Sequence, residues 1–134
     1  HRQVPLLGTA VDADMELLLR DGPPLDAVFA ASDLSAVAAI GVLQRHGKRV
    51  PHDVAVVGYD DIPLAVHYQP PLTTVRQPTD AAGRALIAAL MSQIAGNRPK
   101  PVELPTELVV RGTTRPVAVP PGVARVRAAK GRVR

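Results

Sequence analysis

Two short apolar runs constrain this chain more than any other feature. Residues 27–31 read A-V-F-A-A and residues 54–57 read V-A-V-V, neither with a polar interruption. A strand with one wet face alternates, whereas an unbroken run of this length suits a strand buried on both faces, as in a parallel sheet. Each run gives way to a polar cluster, Ser32-Asp33 after the first and Tyr59-Asp60-Asp61 after the second. Ser32 is a favoured N-cap, and an acid in the first turn suits the helix dipole. A helix is therefore expected from Asp33 to about His46, with Gly47 at its end and Pro51 beyond.

The remaining segments repeat this alternation. Residues 4–9 are expected to form a strand. Residues 13–20 form a helix candidate, with Met15, Leu18 and Leu19 on one side and Asp21-Gly22-Pro23-Pro24 as its stop. Residues 62–71, with Pro63, Pro70 and Pro71, read as a loop, and residues 72–75 as a short strand. A helix is expected over 80–95, capped by Thr79, with Gly83, Leu86, Ile87, Leu90 and Ile94 at helical spacing; a last strand falls at 108–111. Strands alternating with helices across short loops define an α/β class: a parallel sheet flanked by helices. In such sheets ligands bind beyond the carboxyl ends of the strands, which selects Ser32 and the Asp60-Asp61 pair. The helix after Ser32 is unusual, because Leu34, Ala36, Val37, Ala38, Ala39, Ile40, Val42 and Leu43 surround nearly its whole circumference. A helix apolar all round is buried on more than one side, so beyond its sheet it wants a partner.

Composition excludes several classes of function. The 134 residues contain no Cys, which removes disulfides, thiolate metal sites and cysteine nucleophiles. Phe29, Tyr59 and Tyr68 are the only aromatics, too few for a base-stacking platform. No apolar run approaches the ~20 residues of a membrane span. The first residues show no charged segment followed by an apolar one of the secretory kind. The net charge of +4 is uneven. Residues 1–110 carry nine basic and twelve acidic groups, while Arg111 onward holds seven basic residues and no acid. Residues 116–134 therefore read as a basic, disordered tail rather than as a nucleic-acid-binding fold.

The polar residues leave several chemistries open. Asp60 and Asp61 could hold a cation, act as an acid/base pair, hydrogen-bond a small molecule, or cap their own turn. An ionised Asp accepts paired hydrogen bonds from vicinal hydroxyls, which suits sugars. A hard metal wants more oxygen ligands than these two and Asp33 supply. Ser32 lies in no G-x-S-x-G elbow and reads first as a helix cap. His1, His46, His52 and His67 have no metal-binding spacing, and Gly58 alone makes no dinucleotide fingerprint. No nucleophile–base pair, metal set or cofactor motif is evident, so an enzyme is not expected.

Three segments together carry a resemblance. They are residues 26–65 (with V-P-H-D-V-A-V-V-G-Y-D-D), P-P-L-T-T-V-R-Q-P at 70–78, and E-L-V-V-R-G-T-T at 107–114. The chain resembles the LacI/GalR family of bacterial transcriptional repressors over about residues 25–115. The resemblance implies that residues 1–115 are the carboxyl-terminal part of an effector-binding domain, the second lobe of a periplasmic-binding-protein-like type I fold. The first lobe and the DNA-reading helix-turn-helix are expected outside these residues. It further implies effector contacts from Ser32, which stands where the family commonly has Asn, from Asp60, and from Gln77. It implies a homodimer whose interface includes Val37, Ile40 and Tyr68. The implied function is non-enzymatic: a cytoplasmic regulator that binds a small effector, expected to be a sugar, and touches DNA only through the N-terminal domain. A sugar-binding protein of a transport system is the alternative.

Overall fold

The computed structural model describes residues 8–115. The expected strand at 4–9 lies partly outside them, and Gly8 and Thr9 belong to a helix instead; the tail at 116–134 lies wholly outside. The elements run α1 (Gly8–Asp21), β1 (Ala27–Phe29), α2 (Asp33–Arg45), β2 (Ala55–Asp60), α3 (Pro63–His67), β3 (Thr73–Arg76), α4 (Thr79–Ile94) and β4 (Glu107–Val109). The sheet order is β1-β2-β3-β4. The first three strands are parallel, with Phe29 opposite Val57 and Asp60 opposite Arg76, and β4 returns antiparallel to β3. The α/β reading holds, with the last strand reversed.

Helix α2 is the centre of the core. Ser32 caps it, with an extended backbone and a hydroxyl that accepts the Ser35 amide at 3.2 Å. At the other end Gly47 takes a positive φ of 70°. There the Gly47 and Lys48 amides bond back to the Gln44 and Leu43 carbonyls, the left-handed stop that glycine permits. One side of α2 packs on β2 and another on α1. Val11 and Met15 of α1 join Ala36, Ala39, Ile40, Val42 and Leu43 of α2 in one cluster with Val54, Val56 and Leu72. Arg45 to Asp12 (3.2 Å) and His46 to Glu16 (2.5 Å) tie the two helices at their rim.

The partner that an all-apolar α2 wanted is therefore largely α1 of the same chain. Ile40 is 0% exposed within this core and has no surface to offer a second chain. It is a core residue rather than an interface residue. Val37 is half-buried, and Tyr68, also half-buried, packs on the core edge.

Three further expectations change. The run at 27–31 is not covered on both sides, since Phe29 is 66% exposed; among the described residues the helical layer of α1 and α2 covers one face. The expected loop at 62–71 contains the single-turn helix α3, started by Pro63 at its first position and anchored by buried Ala65. Thr79 does not cap α4. It is the first helical residue, Pro78 precedes it, and no side chain caps that end. No residue of α4 is buried.

Residues 111–114 close the base of the sheet. The Thr113 hydroxyl donates to Val56 O at 2.7 Å and accepts from Thr73 N at 2.8 Å, and Val56 N donates to Thr113 O at 2.9 Å. The segment thus continues the ladder where β3 has not yet begun. Gly112 eases the close approach. Its amide reaches Pro71 O at 2.7 Å, and a Cβ there would sit 3.1 Å from Pro70 Cβ and 3.2 Å from Pro71 Cδ. The P-P-L-T-T and R-G-T-T motifs are therefore two halves of one joint.

The core assignment predicts that Ile40→Ala lowers the unfolding free energy by about 2–5 kcal/mol, the usual cost of emptying a packed aliphatic site. Urea titration measures it, and a loss below ~1 kcal/mol would return Ile40 to the surface.

Candidate functional site

The polar clusters meet where the strands end. Parallel strands lie about 4.8 Å apart, so the residues leaving β1, β2 and β3 share one edge of the sheet. Ser32 leaves β1, Asp60 and Asp61 leave β2, and Arg76 and Gln77 leave β3.

The turn after β2 is unusual. Asp60 and Asp61 both have positive φ, 107° and 54°. Such backbone costs a non-glycine residue roughly 1–3 kcal/mol and persists only where its surroundings hold it. Three sets of bonds do so. Gln77 Nε2 donates to Asp60 Oδ1 at 2.5 Å. Asp61 receives Arg76 Nε on one oxygen and Arg111 Nη2 on the other, both at 2.6 Å. Ile62 N donates to Asp33 Oδ2 at 2.8 Å.

Asp60 and Gln77 are thus brought into contact, with Gln77 exposed and Asp60 half-buried. Ser32 is not bonded to either. Its hydroxyl accepts from Ser35 N and donates to Ser35 Oγ at 3.0 Å, within the first turn of α2.

Sequence reasoning missed the supports. Asp33 looked like a dipole partner at a helix start, yet its side chain points into the protein and accepts from the Thr74 hydroxyl at 2.5 Å. Nothing in the sequence gave Arg76 or Arg111 a role at the site. Arg111 also donates to Leu72 O at 2.8 Å, and Arg76 Nη1 reaches Glu107 at 3.4 Å. The one available signal was that both arginines sit inside the motifs quoted above. Among the described residues no group of three or more His, Asp or Glu side chains is arranged to hold a metal ion.

Charge at this turn is set by competition. Burial disfavours the Asp61 carboxylate, but the hydrogen bonds and charges of Arg111 and Arg76 outweigh it and hold its pKa below the usual value. A depressed folded pKa stabilises the fold above the unfolded value of about 3.9. That stabilisation is lost as pH falls through the folded pKa.

Open, mostly parallel α/β sheets bind ligands beyond the carboxyl ends of their strands, and the polar cluster of this chain lies at that place. Residues 3–114 match the family model for a periplasmic binding protein-like domain. This chain belongs to that family, within its LacI-type regulator group. The HTH-type transcriptional regulator CelR of Thermobifida fusca is 52% identical over 101 residues, 74% of this chain and 30% of the relative. The regulator MalR of Streptomyces coelicolor is 47% identical over 97 residues, 69% of this chain and 28% of the relative. Among solved structures, a CelR–cellobiose complex aligns with a TM-score of 0.74 at 46% identity, over 82% of this chain and 34% of that one. An Arthrobacter LacI family regulator in complex with lactose gives 0.70 at 30% identity, over 84% and 44%. The chain spans about 30% of the length of the curated relatives it matches.

Replacing Asp61 with Asn removes its titration and leaves Arg76 and Arg111 without their shared carboxylate. Asp61→Asn is expected to be less stable than wild type at pH 7, with the gap closing as pH falls below about 4. Urea midpoints of both proteins from pH 7 to 3 check this; a gap that stays constant would remove Asp61 from the acid response.

Proposed function

We propose that this chain is the effector-binding and dimerisation portion of a LacI-type transcriptional regulator, and that it binds a small carbohydrate at the strand-end site. The observation that carries the reading is the Asp60–Gln77 pair at the carboxyl ends of β2 and β3. It offers a side-chain oxygen acceptor and an adjacent amide to vicinal hydroxyls. The cellobiose and lactose complexes of related regulators support a disaccharide as the ligand class. Ser32 caps α2 with one lone pair of its hydroxyl, and the second remains to accept from a ligand. The relatives named above are regulators, which favours control of DNA binding over transport. The effector acts by binding two arrangements of the intact protein with different affinity; equal affinity would shift nothing.

The test is calorimetry of the intact regulator that contains this chain, with cellobiose and lactose. Asp60→Ala should weaken the bound sugar about 10- to 150-fold, the loss of one charged hydrogen bond. An unchanged titration would remove Asp60 from the site.

The same reading assigns a dimer face to the start of α2 and to α3. These elements adjoin, because the Ile62 amide at the head of α3 bonds Asp33 at the head of α2. Leu34, Leu64 and Val66 are exposed there, with Val37 and Tyr68 half-buried on the same two elements or their ends. Closed two-fold pairing is the commonest way to cover such a surface. Sedimentation should give a dimer at tens of micromolar, which Val37→Asp shifts toward monomer. A wild type that stays monomeric at that concentration would sink the assignment.

A further inference from the structure

Asp33 is the most unusual ionisable group in the described residues. It is 1% exposed, yet a first-turn acid serves the helix dipole equally well at the surface. Burying a carboxylate costs several kcal/mol unless hydrogen bonds replace its water. Both oxygens of Asp33 are so engaged, Oδ1 by the Thr74 hydroxyl and Oδ2 by the Ile62 amide. Strand β2 also makes room for it. A Cβ on Gly58 would collide with Asp33 Oδ1 and lie 3.2 Å from Asp33 Cα, so only glycine lets the head of α2 sit this close.

The two bonds run to particular places. Thr74 lies on β3, three residues before Gln77. Ile62 follows directly on the strained pair Asp60-Asp61. Asp33 itself follows Ser32. One buried carboxylate thus joins the three chain segments that leave the sheet at the strand-end site. We infer that Asp33, through Thr74 and Ile62, is a positioning residue for that site, fixing the Asp60 turn and the Gln77 strand end relative to the head of α2. The ligand part of this inference rests on the carbohydrate reading above; the positional part does not.

Thr74→Val keeps the shape of the side chain and removes only the donor, and Thr74→Ser keeps the donor and removes only a methyl group. Asp33→Asn keeps the shape and replaces one of the two acceptor oxygens with an amide donor. Two measurements on the full chain separate positioning from bulk stability. The first is amide hydrogen exchange without ligand. Thr74→Val and Asp33→Asn should speed exchange at Ile62 about 10-fold, with little change at Val56 and Val57, and Thr74→Ser should restore it. The second is cellobiose titration, in which the same two variants should weaken binding about 10-fold and Thr74→Ser should bind as wild type. Acceleration spread evenly over the sheet, or none at Ile62, would overturn the inference. So would variants with faster Ile62 exchange that bind cellobiose as wild type does. If wild type itself fails to bind cellobiose, the carbohydrate reading falls, and the exchange pattern alone still decides the role of Asp33.

Discussion

Two consecutive aspartates with left-handed backbone are the constraint around which this end of the molecule is arranged. Asp visits the left-handed region as a single residue, but two in succession need support from elsewhere. It is sustained from outside, by Gln77 on Asp60, by two arginines on Asp61, and by Asp33 on the next amide. The four supporting residues come from three places: Arg76 and Gln77 from the end of β3, Arg111 from the segment after β4, and Asp33 from the head of α2. The turn therefore reports on the docking of all three, and none can shift without releasing part of the strain.

That arrangement explains which features were legible in the sequence. The strands β1 and β2, which fall within or overlap the runs at 27–31 and 54–57, the Ser32 cap and the Gly47 stop are local events, readable from runs and single residues. The strand-end rule then pointed to Ser32 and Asp60 without further help. Gln77 entered only through the family resemblance, because nothing in its own neighbourhood marks it.

What was not legible is non-local. Asp33 reads as an ordinary first-turn acid until its partners, 29 and 41 residues away, are known. The Arg111–Asp61 pair spans 50 residues. Ile40 was misassigned for the same reason. The apolar circumference of α2 correctly called for a second contact, but periodicity cannot say whether that contact is α1 of the same chain or a second copy. The reversal of β4 likewise depends on where the chain re-enters the sheet after α4, which no local pattern encodes.

Helix α4 leaves the sheet through Gln77 and Pro78, the chain returns at Glu107, and none of its residues is buried against the rest. It joins the rest at two adjacent strand ends, where Arg76 reaches Glu107. Its exposed apolar residues Leu86, Ile87, Leu90, Met91 and Ile94 are therefore left for a packing partner outside the described residues.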